Sequence, residues 1–328
     1  MTPPLVAELP ASTASPPALL NGRSLLAPEQ ARGLAAIGSD VSSLVRPRIA
    51  VMVLVTVVAA AWLTAGPAIN LPRIVWVLVG TALVAASSSI ANQILERTTD
   101  RLMRRTHDRP LAAGRLTPAV AWVLAAVTLA GGALVCSLAA GWQTAGAAVA
   151  TWLLYVLVYT PLKRITPLNT AIGAVAGALP VAIGWLAADG PARLAAGDSR
   201  AALAVAALAT VLYLWQFPHF MAIAWLYRAE YAAAGARMLT VVDPSGLRAG
   251  GQAMAAALAL LPAGLVLAVP SGSIRMFLAA AVAGTVYLLA SVRFAVRRDD
   301  VSARGLLLTS LGALLGLLSA AIVFGGPI

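Results

Sequence analysis

The chain has 328 residues, 60% of them hydrophobic and only 11% charged, with a formal net charge of +11. A soluble domain carries roughly 25% charged residues, so this composition cannot clothe a surface that faces water on all sides. The basic excess does not point to nucleic acid either: the arginines stand in short connections between apolar runs, where membrane topology explains them, and not on one face of a soluble fold.

In chain order, the opening stretch is rich in Ala, Pro and Ser and lacks the basic start and long apolar core of a secretory signal. Residues 1–44 read as a poorly ordered arm with a short interfacial helix over 28–44, and residues 45–328 as a single transmembrane domain. Crossing ~30 Å of hydrocarbon takes about 20 helical residues. Nine runs meet that need, near 49–66, 73–95, 118–138, 141–160, 168–188, 201–226, 249–270, 273–292 and 304–325. The expected fold class is therefore an all-α integral membrane protein, a bundle of about nine transmembrane helices. Glycines inside the runs, such as Gly173, Gly177 and Gly184, suit close helix contacts in lipid. With the N-terminus inside, 19 of the 23 basic residues fall on the cytoplasmic side, and only Arg73, Arg193, Arg200 and Arg275 do not. The positive-inside bias thus predicts N-in, C-out. Cys136 is the sole cysteine, inside an apolar run, and reads as a small buried side chain.

Three connections carry more polar chemistry than topology requires. After the second run, Asn92, Glu96 and Asp100 recur every four residues, with Arg104, Arg105 and Arg109 close behind. On a helix each four-residue step drifts by only about 40°, so the three oxygen-bearing side chains share one face. Such a stripe at a membrane edge suits Mg²⁺, which takes one or two carboxylates plus water and phosphate oxygens, while the arginines clamp phosphate charge. The competing reading makes Glu96 and Asp100 mere partners of neighbouring arginines. Between the fourth and fifth runs stand Tyr159, Lys163, Arg164, Thr166 and Asn169. In and after the sixth, Gln216, His219 and Glu230 lie in or beside an apolar helix, where polar groups default to function. Pro218 implies a kink or a local opening of the helix beside His219. For His219 the alternative role is an interhelical hydrogen bond.

At these positions the chain resembles the UbiA superfamily of intramembrane prenyltransferases, and within it the protohaem IX farnesyltransferase branch. The matching strings are Arg46-Pro47-Arg48; Asn92, Glu96 and Asp100 with Met103, Arg105, Thr106, Arg109 and Pro110; and Tyr159-Thr160 with Leu162-Lys163-Arg164. Gly177-Ala178, Pro180, Gly184-Trp185, then Trp215-Gln216, Pro218-His219-Phe220, and last Tyr231, Gly235 and Met238-Leu239 complete the pattern. The acidic motif marks the superfamily, and the Trp-Gln-x-Pro-His-Phe string marks the branch. The resemblance implies nine spans around a central cavity and transfer of farnesyl from farnesyl diphosphate to a vinyl group of haem b, giving haem O and diphosphate. It implies Mg²⁺ held by Asn92, Glu96 and Asp100, with Glu230 in the second motif and Arg105, Arg109, Lys163 and Arg164 neutralising diphosphate. It also implies a substrate site touching Tyr159, Asn169, Gln216 and His219, with haem b as substrate and not resident cofactor. The setting implied is the cell (inner) membrane with active-site loops in the cytoplasm; haem A synthase or oxidase assembly factors are the protein partners it suggests. One departure stands out: many relatives carry two consecutive acids before the tyrosine of the second motif, where this chain has Ala229 and Glu230.

The alternatives are a prenyltransferase with an aromatic, quinone-precursor or chlorin acceptor, and a polytopic transporter. Transporters place polar groups at the bilayer midplane, whereas the acids here gather at one membrane face.

Overall fold

Helix starts are written into the sequence. Asn70, Thr117, Asp198, Ser273 and Asp299 each accept a hydrogen bond from a backbone N–H three residues on, and each stands immediately before a long apolar helix. Such caps satisfy amides that have no partner inside the helix. At Asp299 the cap is reciprocal, because the Ser302 hydroxyl sits on the Asp299 N–H.

The computed structural model describes residues 34–325. Among them all regular structure is helical, and nine helices are long and apolar enough to cross a membrane. In order the spans are Pro47–Ala68, Leu71–Asp100, Pro118–Ala140, Trp142–Leu162, Asn169–Ala187, Ser199–Leu226, Leu247–Val266, Ile274–Arg297 and Asp300–Phe324. They match the nine runs read from the sequence, and the second and eighth extend several residues further at their arginine-rich ends. A further helix, Leu34–Val45, precedes span one; the part of the expected arm and interfacial helix before residue 34 lies outside the described residues. Span six runs unbroken through Pro218.

One apolar core joins spans one, five, six, seven, eight and nine, and a second joins spans one to five, so span one serves both. Small residues set how closely the spans approach. A Cβ at Gly80 would meet the Gly132 carbonyl at 2.8 Å and Cys136 Sγ at 2.6 Å, so spans two and three touch backbone to backbone there. Gly184 of span five meets the Val57 carbonyl of span one in the same way. Leu138, Leu308 and Val323 point outward with no protein neighbour to cover them, as the lipid face of a bundle requires.

Two contacts bring the arginine-rich end together. Gln93 of span two donates to the carbonyls of Ser43 and Leu44, docking the end of the first helix beside Asn92. Arg115 forks onto the Asp40 carboxylate and reaches the Asp108 carbonyl, tying that helix to the loop after span two.

Candidate active site

The last turns of span two carry the stripe expected from the four-residue spacing. Asn92 is fully buried and Asp100 is 1% exposed. Asn92 Nδ2 donates to Thr160 Oγ1 at 3.1 Å, and that hydroxyl donates to the Tyr155 carbonyl at 2.9 Å. Since the Thr160 proton is committed to a carbonyl, Asn92 must present its NH₂ there. Its Oδ1, also buried, is left without a partner. The geometry rests on a π-helical turn, Leu154–Tyr159, in span four. Pro161 accounts for it: a proline ring clashes with the carbonyl four residues back in a regular α-helix, and a widened turn relieves the clash. The sequence reading did not foresee this turn.

Glu96 accepts from Lys163 Nζ at 2.8 Å, and both side chains are about four-fifths buried. Both Asp100 oxygens accept from Arg109 Nη1, at 2.8 and 2.7 Å, because the loop after span two folds back under the helix end. The Thr106 hydroxyl secures that fold by donating to the Asp100 carbonyl. Burial alone would lower the Lys163 ammonium value; the Glu96 carboxylate outweighs it and holds the group above the usual lysine range. Burial pushes the Arg109 guanidinium down, and the nearby Arg46 adds to that against the pull of Asp100.

Arg46 enters the site without having been singled out as more than a topological residue and part of a matching string. Its backbone lies in the left-handed region, φ 52° and ψ 66°, between the first helix and span one. A non-glycine residue there costs of order 1 kcal/mol or more and is commonly kept where function needs it. Arg46 lies within electrostatic reach of Glu96, Asp100 and Arg109, and its Nη2 is buried with no hydrogen-bond partner. The signal in the sequence was an arginine directly before a proline at a helix start.

The connection between spans four and five closes the cluster. Tyr159 lies under the Lys163 ammonium at 4.6 Å, with Tyr155 at 5.4 Å from its ring and Gly173 making room on the other side. Asn169 donates to the carbonyls of Thr166 and Arg237, and the Arg237 amide donates to the Lys163 carbonyl at 2.7 Å. The loop after span six is thereby fastened to the Lys163 loop. Glu230 Oε2 is buried without a partner. Arg105 stacks over Tyr227 at 5.1 Å, on the Arg109 side. Arg164 is exposed and makes no ion pair among the described residues.

Gln216 and His219 lie apart from this cluster. Gln216 donates to the Ala174 and Leu212 carbonyls and fills the space left by Gly177, locking span six to span five. His219 Nδ1 lies 2.7 Å from Ser310 Oγ of span nine, with the Trp215 ring stacked on it at 4.6 Å. An apolar groove of about 510 Å³ runs between spans five and six, lined by residues such as Val175, Trp185 and Tyr213; none of the expected site residues lines it.

The donor set fits a hard cation that completes its coordination from a bound substrate. Asn92 Oδ1 is a buried oxygen without a partner, and Glu96 and Asp100 stand on the same helix face as Asn92. Among the described residues no group of three or more His, Cys, Asp and Glu side chains forms a complete metal cage. Mg²⁺ is commonly held without such a cage, through a few carboxylates and phosphate oxygens. Around these acids, Lys163, Arg109, Arg46 and Arg105 leave the cluster cationic, as an anionic substrate requires.

Comparison with known proteins bears on the family and fold. Over 277 residues the chain is 43% identical to a protoheme IX farnesyltransferase of Rhodopirellula baltica, covering 82% of this chain and 93% of that protein. It is 37% identical over 282 residues to one of Solibacter usitatus, covering 83% and 94%. A solved structure of digeranylgeranylglyceryl phosphate synthase shares the fold with a TM-score of 0.68 at 16% identity, over 88% of this chain and 98% of that one. A UbiA homolog from Archaeoglobus fulgidus bound to GPP and Mg²⁺ does so with a TM-score of 0.61 at 16% identity, over 87% and 100%. Residues 53–312 match the model of the UbiA prenyltransferase family, and the chain belongs to that family.

Proposed function

We propose that this chain transfers farnesyl from farnesyl diphosphate to a vinyl group of haem b within the membrane, yielding haem O and diphosphate. The observation that carries the donor half is the cluster at the end of span two, where two ion-paired carboxylates and the unpartnered Asn92 Oδ1 lie among four cations. The acceptor half is supported by relatives that are 37–43% identical over most of both chains and bear the name protoheme IX farnesyltransferase.

Breaking the allylic C1–O bond leaves positive charge on the farnesyl carbon and sends the electron pair to diphosphate. Lys163 and Arg109 are already charged and buried at the edge of the cluster, so they stabilise that anion without rearranging solvent. Arg46 adds an unpaired N–H donor. Arg164, exposed beside Lys163, and Arg105 bear on the incoming diphosphate from solvent. Asn92, Glu96 and Asp100 would hold Mg²⁺, which when bound supplies further neutralisation of the leaving diphosphate, with Glu230 as the acid of the second motif. The vinyl π electrons close the new carbon–carbon bond, water adds at the adjacent carbon, and its proton leaves. Tyr159 and Asn169 hold the two loops around the diphosphate end, and His219 contacts the porphyrin. The distribution of arginines supports placing this end in the cytoplasm, in an inner membrane, with the N-terminus inside.

Incubating purified protein with haem b, farnesyl diphosphate and Mg²⁺, followed by mass spectrometry of the porphyrin, tests this reading. The expected product carries the hydroxyethylfarnesyl group. Unmodified haem, with prenylation of a quinone precursor in a parallel incubation that supplies one, would overturn the acceptor assignment.

A further inference from the structure

His219 is tied to span nine in a way that determines which of its nitrogens carries the proton. The Ser310 hydroxyl has a single hydrogen, and the Leu307 carbonyl stands 2.6 Å from its oxygen. A carbonyl can only accept, so that hydrogen is committed to Leu307. His219 Nδ1, 2.7 Å from the same hydroxyl oxygen, must therefore be the donor. A neutral imidazole protonated at Nδ1 carries its lone pair on Nε2. Among the described residues nothing hydrogen-bonds Nε2, and the residue is partly exposed.

The ring is also fixed in plane and position. Trp215 stacks on it at 4.6 Å and donates its own Nε1–H to the Ser310 carbonyl at 2.7 Å. The Trp215 carbonyl in turn accepts from Tyr287 of span eight at 2.7 Å. Spans six, eight and nine thus cooperate to hold one imidazole in one tautomer. For an interhelical bond alone, a His–Ser pair in either tautomer would serve equally well. A single tautomer with an open Nε2 is the arrangement that metal-binding histidines use, with the other nitrogen anchored by an acceptor.

We propose that Ser310 is a positioning residue that presents the His219 Nε2 lone pair to the iron of the haem acceptor as an axial ligand. This rests on the reading of haem b as the acceptor. The test compares wild type, Ser310→Ala, Ser310→Thr and His219→Gln, titrated with haem b and with metal-free protoporphyrin IX. The latter keeps both vinyl groups and lacks the iron. Ser310→Ala is expected to weaken haem b binding about 10- to 100-fold and shift its absorption bands, as loss of an anchoring partner does. Ser310→Thr, which keeps the hydroxyl, restores both. Metal-free porphyrin and farnesyl diphosphate bind all four proteins alike. If Ser310→Ala does not insert, His219→Gln carries the same comparison, because glutamine keeps a hydrogen-bonding amide and offers no imidazole nitrogen. Equal losses with and without iron, or unchanged haem bands in both variants, overturn the proposal. Failure of the wild type to farnesylate haem b in the mass-spectrometric assay is a separate outcome that sinks the acceptor reading itself.

Discussion

Asp100 is 1% exposed although it ends a helix where water is near, so its charge depends on Arg109. Removing one partner of a buried pair costs about 3–5 kcal/mol, because the other is left uncompensated. Asp100→Asn should therefore lower the midpoint of thermal unfolding in detergent and also cut turnover by roughly 100- to 1000-fold. Glu96→Gln, from a pair about one-fifth exposed, should lose turnover similarly with a smaller drop in stability. Near-normal turnover in either variant at limiting Mg²⁺ would remove that residue from the cation site. Lys163 is held above the usual lysine range, so its contribution to stability is fully present below the ordinary value of 10.5 and is lost only as pH rises through the higher folded value. Farnesyl diphosphate affinity should accordingly show no Lys163 titration between about pH 7 and about pH 9. Lys163→Met should raise the Kd for farnesyl diphosphate about tenfold or more and leave haem affinity unchanged; an unchanged Kd would make Lys163 a topological residue. At this scale the four-residue stripe Asn92, Glu96 and Asp100 was legible from spacing alone. Arg46 was not, since an arginine in a cytoplasmic connection already has a sufficient explanation in topology. Ser310 was silent for a different reason: one hydroxyl in an apolar run carries no signal until its neighbour across the bundle is known.

At the scale of elements, the spans followed from length and hydropathy, while the capping side chains that start them came into view only with the structure. The π-helical turn did not follow from the sequence either, because periodicity over six residues cannot separate a widened turn from an ordinary one. Its consequence is chemical. Thr160 donates to the carbonyl of Tyr155 within that turn and thereby fixes the Asn92 amide. Thr160→Val keeps the shape and removes both hydrogen bonds, so turnover should fall about 10- to 100-fold with insertion and the helical content of the protein intact, and Thr160→Ser should restore it. Equal turnover in the valine variant would mean that the Asn92 orientation does not matter to catalysis. Gln216 and Asn169 show the same limit from another side. Each reads from the sequence as a polar group in or beside a span, and each proves to hold elements together, Gln216 joining spans five and six and Asn169 joining two loops.

For the whole molecule, orientation is the property on which the cytoplasmic placement of the cluster depends. Cys136 is buried and hydrogen-bond distance from the Val77 carbonyl, so the native thiol should resist impermeant maleimides. Single cysteines at Arg164 and Arg193, both at span ends, should label from opposite sides of the membrane, Arg164→Cys from the cytoplasm. Labelling of both from one side would contradict span five, Asn169–Ala187, crossing the membrane between them.

The sequence by itself determined the class of the protein, the nine spans found among the described residues and the four-residue stripe at the end of span two. These depend on quantities that add up locally: apolar length against bilayer thickness, arginine counts in connections, and a repeat of four along one helix. The tertiary structure decided which charges are paired, which oxygens are left open and which nitrogen of His219 bears a proton. Those depend on contacts between residues as far apart as Glu96 and Lys163, or His219 and Ser310. A hydrogen bond is specified by distance and direction, and neither exists until the helices are packed.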